Sequence, residues 1–363
     1  TERRAVEALP ALVELAADRE VDAIGLNVGA MHALWTMAGL GLLDGSHSEA
    51  TAAVHAGLEH PAAGVRRAAI GVLPREHGST DALLAAKVCH DADAQVRLAA
   101  LLALAGLPPS HAAGEAIVAA MLLPDNARDP ILTDAATCAA ANNDAAFLRS
   151  VVQLPAPPAQ LVAASSVVAE HFARGAPGDD VLVLAAELTD ADAELAGAVL
   201  RGLDGGWPED VPLADPAPVA PLFARLLPEL PTDDQSVFVR LARRWGSREV
   251  EDYVDELKTR LVATLDDASR DDAARIAAAE QCVALDPSDA DLAALVLARI
   301  TPQTPAELAS GWLQALASCE SPETGALVLE ALPGLTPSSR AAAVKVLLAR
   351  QPSTRALIDG MLE

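Results

Sequence analysis

Val65-Arg66-Arg67-Ala68-Ala69-Ile70-Gly71-Val72-Leu73 carries the pattern that decides the fold. Its apolar residues Val65, Ala68, Ala69, Val72 and Leu73 fall at offsets 0, 3, 4, 7 and 8, one face of an α-helix. The same offsets recur upstream at Ala30, Ala33, Leu34, Met37, Ala38. Downstream they recur at Val96, Ala99, Ala100, Ala103, Leu104, at Leu132, Ala135, Ala136, Ala139, Ala140, at Leu161, Ala164, Ser165, Val168, Ala169 and at Leu195, Ala198, Val199, Gly202, Leu203. The registers begin at 30, 65, 96, 132, 161 and 195, so successive intervals are 35, 31, 36, 29 and 34 residues. A period of that length marks a repeat architecture. Between copies lie second helical segments, Glu49 to Leu58, Ser79 to Cys89, His111 to Leu122, Asp144 to Leu154 and Asp179 to Leu188. Breaks such as His60-Pro61, Asp91-Ala92-Asp93 and Pro108-Pro109 separate them, Pro stopping one helix and Asp or Ser capping the next. A hairpin of two short helices cannot bury both faces alone and must stack on its neighbours. The expected fold is therefore all-α, an α-solenoid of stacked helical hairpins.

Outward from this core, the chain of 363 residues divides by composition. Residues 1–203 hold the clear repeats, and 204–218 form a Gly-, Pro- and Asp-rich connecting loop in which Trp207 is expected to pack. Residues 219–363 continue the hairpins with weaker periodicity, at Val219 to Leu230, Ser236 to Trp245, Val250 to Leu265, Asp271 to Leu285, Thr304 to Ser318, Thr324 to Leu332 and Ser338 to Arg350. Aromatic residues make up only 2% of the chain while apolar types make up 52%, so the core must be close-packed from Ala, Leu and Val, which favours helices over sheets.

Charge narrows the partners. Asp and Glu number 51 against 26 Lys and Arg, a formal charge of -25, which disfavours nucleic acid because phosphate contacts need clustered cations. No run of apolar residues is long enough to insert in a membrane, and Thr1 to Arg4 lead straight into an amphipathic pattern rather than a signal peptide. The start at Thr1 and the end inside a helical pattern at Leu362-Glu363 suggest a piece of a longer polypeptide. Cys89, Cys138, Cys282 and Cys319 show no metal-ligand spacing and read as buried free thiols, with a Cys282–Cys319 disulfide open to an oxidising compartment.

Three groups of residues invite a site. His55, His60 and His90 would bind Zn or Ni if stacking brought them to one edge; otherwise they are polar groups at helix ends. His32, ahead of Ala33-Leu34-Trp35, reads as a half-buried structural residue. Arg66, Arg67 and Arg97 could grip a carboxylate or phosphate in a groove, or else bind turn carbonyls and Asp side chains. Arg243 and Arg244 beside Trp245 suggest a local cation–π contact. Acidic groups such as Asp190-Asp192-Glu194 and Asp271-Asp272 lack the twelve-residue calcium loop and read as helix caps. There is no nucleophile elbow, phosphate loop, dinucleotide fingerprint or HExxH motif, so no residue is assigned a catalytic, cofactor-binding or metal role.

His60-Pro61-Ala62-Ala63-Gly64-Val65-Arg66-Arg67-Ala68-Ala69 and its echo Asp91-Ala92-Asp93-Ala94-Gln95-Val96-Arg97-Leu98-Ala99-Ala100 resemble HEAT-like repeats, whose signature is a short Asp or Pro turn, then Val-Arg, then paired small residues. The resemblance implies a HEAT/armadillo-like superhelix. A narrower set looks like the HEAT-like region of large secreted bacterial proteins of the membrane-bound-dehydrogenase type. It comprises Gly29 to Trp35 with Gly39-Leu40-Gly41, Arg201-Gly202-Leu203 with Gly206-Trp207-Pro208, Leu241-Ala242 with Trp245-Gly246-Ser247, Leu335-Thr336-Pro337, and Val346 to Pro352. In that family a sorbosone-dehydrogenase-like propeller precedes the repeats and a c-type cytochrome follows. What it implies here is an extracytoplasmic, non-catalytic scaffold without a cofactor of its own, within a parent that holds haem c and is an oxidoreductase. Its partners would be proteins or neighbouring domains of the same polypeptide. Two other readings stand beside it: a lyase or redox module with a cofactor or metal in the His-rich N-terminal half, and a cytosolic protein-binding adaptor of a salt-adapted bacterium.

Overall fold

The computed structural model describes residues 6–248 and 250–362; the Thr1 to Arg4 start and Glu363 lie outside them. Among the described residues there are twenty-two α-helices and no strand. The chain divides into two compact units, Thr1–Ala214 and Asp215–Glu363.

The first unit contains α1 (Leu9–Ala17), α2 (Val28–Gly39), α3 (Ser48–Gly57), α4 (Ala63–Gly71), α5 (His77–Ala85), α6 (Ala94–Leu104) and α7 (His111–Met121). They are followed by α8 (Pro124–Ala127), α9 (Pro130–Asn142), α10 (Asp144–Val152), α11 (Ala159–Arg174), α12 (Asp180–Leu188) and α13 (Ala193–Gly206). Packing runs in two interleaved successions: α2 on α4, α4 on α6, α6 on α9, α9 on α11 and α11 on α13; and α1 on α3, α3 on α5, α5 on α7, α7 on α10 and α10 on α12. Each of the six apolar registers falls on a helix of the first succession. In α9, α11 and α13 the five stripe residues are all buried, and in α2 only Ala38 is half-buried. N-caps follow the sequence cues: Asp93, Asp129 and Asp192 each accept two backbone N–H bonds at the starts of α6, α9 and α13, and Ser110 caps α7.

Three local departures have physical causes. The segment expected to be helical from Ser79 to Cys89 ends at Ala85, because Lys87 takes a left-handed conformation (φ 53°) before a 3-10 turn at Val88–His90. The connecting loop begins later than composition suggests: α13 continues through Asp204, Gly205 and Gly206. Gly202 and Gly206, one turn apart, let α13 lie against α11; a Cβ at Gly202 would strike the Ser166 carbonyl and approach Ala169 Cβ to 2.8 Å, and one at Gly206 would strike the Glu170 carbonyl. Trp207 then packs as expected, 3% exposed, its indole N–H donating to the Val211 carbonyl at 2.7 Å. The short α8 has no apolar stripe to announce it.

The second unit contains α14 (Val219–Leu226), α15 (Thr232–Arg244), α16 (Glu251–Asp266), α17 (Asp272–Leu285), α18 (Ala290–Leu297), α19 (Ala306–Ala315), α20 (Thr324–Ala331), α21 (Pro337–Ala349) and α22 (Gln351–Leu362). Here α15, α17, α19 and α21 pack in turn, as do α18, α20 and α22. Helix α18 was not marked by the sequence pattern, and of α22 only the helical end at Leu362 was. Close approaches recur: a Cβ at Gly325 would lie 2.7 Å from Ser353 Cα, which is how α22 seats on α20.

Candidate interaction surface

The turn that opens α4 positions the first two candidate residues. The Arg66 guanidinium donates to both Asp91 oxygens (Nε to Oδ2 2.6 Å, Nη2 to Oδ1 2.7 Å) and, through Nη1, to the His60 and Pro61 carbonyls at 2.8 and 2.9 Å. One repeat on, Arg97 donates to Asn126 Oδ1 at 2.7 Å and to the Asp91 and Ala92 carbonyls at 2.8 and 3.3 Å. Thr133 stands at the same register in α9, and its hydroxyl donates to the Asn126 and Asp129 carbonyls. Each such residue thus satisfies the carbonyls of its own turn, and both arginines also reach a side chain of the next turn. This ladder occupies groups that would otherwise cost about 1–3 kcal/mol each if buried without a partner. Arg97 is only 7% exposed, so its guanidinium is structural rather than presented to a ligand.

The remaining candidates do not join them. Arg67 is exposed on α4 and His90 is exposed. His60 is buried with both ring nitrogens used: Nδ1 accepts from the Ala62 N–H at 3.0 Å, which makes Nε2 the donor to the Asp18 carbonyl at 2.8 Å. His55 is half-buried and its Nε2 has no hydrogen-bond partner. Among the described residues no group of three or more His, Cys, Asp or Glu is placed to hold a metal ion.

Several other expectations need correction. His32 is exposed and stands edge-on to Trp35, ring centroids 5.3 Å apart, with Trp35 itself 47% exposed, because offsets 2 and 5 of the register point away from the stripe. Cys138 is exposed, at offset 6, whereas Cys89, Cys282 and Cys319 are buried; all four are free thiols. Burial pushes the Cys89 thiol up to about 12 and the Cys282 thiol up to about 11, so both stay neutral. Cys319 donates to the Pro287 carbonyl at 3.2 Å, not to a disulfide. Apart from these corrections, Arg243 is held by Glu251 and by the Leu285 carbonyl at 2.6 Å.

What the sequence reading passed over is the outward side of the first succession. At offset 6, α6, α9 and α11 place Leu102, Cys138 and Val167, all exposed, Leu102 at 54% and Val167 at 55%. Ile131, at 63%, and Ala163 extend the same side. Across the exposed residues of these three successive helices the charged groups are Asp134 and, at the end of α11, Arg174. In a chain of net charge -25, this face combines exposed aliphatic area with a low density of charge, the composition found at the centre of protein interfaces. The signal was present in the apolar residues lying off the buried stripe. On the second succession, His111, Glu115, Val118, Leu122, Arg149, Gln153 and Glu187 line an open groove of about 510 Å³ across α7, α10 and α12. Its cation is already engaged, since Arg149 pairs with Glu187 at 2.8 and 2.9 Å.

The chain matches no protein-family model, and no curated protein matches it significantly. Among the described residues no helix is long and apolar enough to cross a membrane.

Proposed function

We propose that this protein is a non-catalytic α-solenoid of HEAT-like repeats that acts as a protein-interaction scaffold, with the outward face of α6, α9 and α11 as its contact surface. The observation that carries the reading is the line of Leu102, Cys138 and Val167 at one register on three successively packed helices, with Ile131 and Ala163 beside it. The interleaved packing of alternate helices and the arginine ladder between successive turns support the solenoid, since each repeat engages its neighbours. By its resemblance to the middle region of membrane-bound-dehydrogenase-type proteins, the partner would be another protein or a neighbouring domain of an extracytoplasmic, haem c-containing parent.

Site-specific photo-cross-linking in producing cells tests the surface. A photoreactive residue replacing Leu102 or Val167 is expected to give a discrete heavy adduct that the same residue at exposed Glu209 does not; equal labelling at all three would refute it. The competing reading, a cofactor or metal module in the His-rich half, is separated by visible absorption and metal analysis of the purified chain. Stoichiometric metal or a haem band would favour that reading over the scaffold.

A further inference from the structure

Eighteen large apolar side chains are exposed among the described residues, and they are unevenly placed. Seven lie between Val6 and Trp35, and five between Val344 and Leu362; none lies between 215 and 343. Exposed aliphatic side chains gathered in this way mark surfaces that another chain can cover.

The C-terminal face is built by α21 and α22. On α21, Ala341, Val344, Lys345 and Leu348 are all exposed at offsets 0, 3, 4 and 7, a second helical stripe besides the buried one through Ala342, Ala343, Val346 and Leu347. On α22, Ile358, Met361 and Leu362 are 54%, 77% and 82% exposed. The two helices and the Arg350 between them carry Arg340, Lys345, Arg350 and Arg355 against the single described carboxylate Asp359, a positive segment in an otherwise acidic chain. Arg340 is tied to the Leu332 and Pro333 carbonyls and Arg350 to Glu320. Lys345 and Arg355 have no ion-pair partner among the described residues.

The N-terminal face has the opposite charge. Between Val6 and Val28 stand Glu7, Glu14, Asp18, Glu20 and Asp22 against Arg19, whose guanidinium is engaged by the Glu59 carbonyl at 2.7 Å. With Glu2, Arg3 and Arg4 counted, residues 1–28 remain net negative. Leu15 on α1 is exposed beside Glu14, and Ile24, 79% exposed, projects from a loop that is locally fixed. Asp22 Oδ1 accepts the Ile24 and Leu26 N–H groups at 3.0 and 2.8 Å, and Asn27 Nδ2 donates to the Asp18 and Glu20 carbonyls.

We propose that the C-terminal face of one copy docks on the N-terminal face of a second, a heterologous head-to-tail association between identical chains. Each face offers exposed aliphatic area, and each offers unpaired charge of the sign the other lacks, which sets the pairing of unlike ends over like ends. A like-end contact would instead oppose five carboxylates to five, or Lys345 and Arg355 to themselves. Because the contact uses two different surfaces, every copy has one of each, and association can continue copy on copy, closing as a ring or running on as a filament.

Sedimentation of the full chain tests this. The weight-average mass is expected to more than double between about 1 and 100 μM at low salt, and the gain to shrink at high salt as screening removes the charge term. Two variants carry the decisive arm: an N-terminal one, Glu14→Lys with Ile24→Lys, and a C-terminal one, Leu348→Glu with Ile358→Glu. All four positions are exposed, and circular dichroism checks that both variants keep wild-type helix content. Each alone should weaken association at least tenfold, about 1.4 kcal/mol. Their equimolar mixture should give a 1:1 dimer and little beyond it, since one variant retains a working C-terminal face and the other a working N-terminal face. A wild-type chain that stays monomeric at low salt would overturn the proposal and leave these faces to neighbouring segments of a longer polypeptide. So would variants that associate as well as the wild type, or a mixture that stays monomeric.

Discussion

The two units reach a similar helical architecture with different cohesive chemistry. In the first, helices approach closely over Ala and Gly: the stripes of α9, α11 and α13 contain little else besides Leu, Val and one Ser, and Gly202 and Gly206 bring α13 onto the backbone of α11. Successive turns are joined by polar links, half-buried at Arg66 and buried at Arg97 and Asn126. In the second, spacing is set by large rings. Phe223 stacks on Phe238 with centroids 4.9 Å apart, Tyr253 lies 5.3 Å from Phe223, and Trp245 meets Phe238 edge-on at 6.4 Å. Trp312 donates to the Arg275 carbonyl at 3.0 Å and takes the Arg275 guanidinium over its ring. Partly exposed ion pairs join its elements, Arg243 with Glu251, Lys258 with Asp289 and Arg299 with Asp266. The lesson is that small residues permit a repeated geometry because every interface can be nearly the same, whereas a bulky ring must be matched by its own particular surroundings.

The largest test of this contrast is Trp245→Ala. Removing a fully buried indole should cost about 3–5 kcal/mol through lost burial and the cavity left behind, while Trp35→Ala, at a half-exposed ring of the first unit, should cost less than about 1 kcal/mol. Urea titration with peptide-resolved hydrogen exchange measures both, and equal costs would break the comparison. Gly202→Val is the complementary test in the first unit. Its side chain must displace the α11 backbone, and we expect a loss of about 3 kcal/mol despite the better helix propensity of Val over Gly. A tolerated valine would show that close approach is not what holds α11 to α13. Next comes the polar ladder: Arg97→Leu should cost about 2 kcal/mol by leaving Asn126 and the Asp91 carbonyl without their donor, against a few tenths for Arg67→Leu on the exposed side of the same motif.

The smallest effect concerns acid. Hydrogen bonds from Arg243 hold the Glu251 carboxyl below its usual range, and those from Arg299 do the same for Asp266. Both groups therefore bind protons more readily when unfolded, and the stability they contribute is present above the ordinary carboxylate range near pH 4 and is lost as pH falls through their lower folded values. Both carboxylates are more than half exposed, so screening limits the gain to a fraction of a kcal/mol. Acid titration of Arg299→Gln is expected to show a shallower loss of stability than the wild type below pH 4. An unchanged slope would remove the pair from the account.

The same difference explains what could be read in advance. The offsets 0, 3, 4, 7 and 8 located α2, α4, α6, α9, α11 and α13 because their interfaces repeat: offsets 0 and 4 are buried in all six, while Val72 and Leu73 after α4 and Ala99 and Ala103 on α6 are only half-buried. Helix α18 escaped notice because it is short, and α22 was read only at its C-terminal end because it buries only Ser353 fully, leaving little stripe to see. The candidate residues divided along similar lines. Arg66 and Arg97 follow a repeated Val and fall into a repeated role. His55, His60 and His90 share no register and are not brought together, and Cys138 takes an outward offset that its apolar neighbours concealed.

By itself the sequence determined the helical class, the period, the buried face of the repeated helices and the chemistry of their caps, since all of these depend on contacts within a few residues and on which side chains avoid water. Only the tertiary structure decided which carbonyls Arg97 would satisfy, that α13 would run past Gly206, and that Leu102, Cys138 and Val167 would share one open side. Those outcomes depend on where a neighbouring helix stops and how closely its backbone approaches, distances that no single helix encodes.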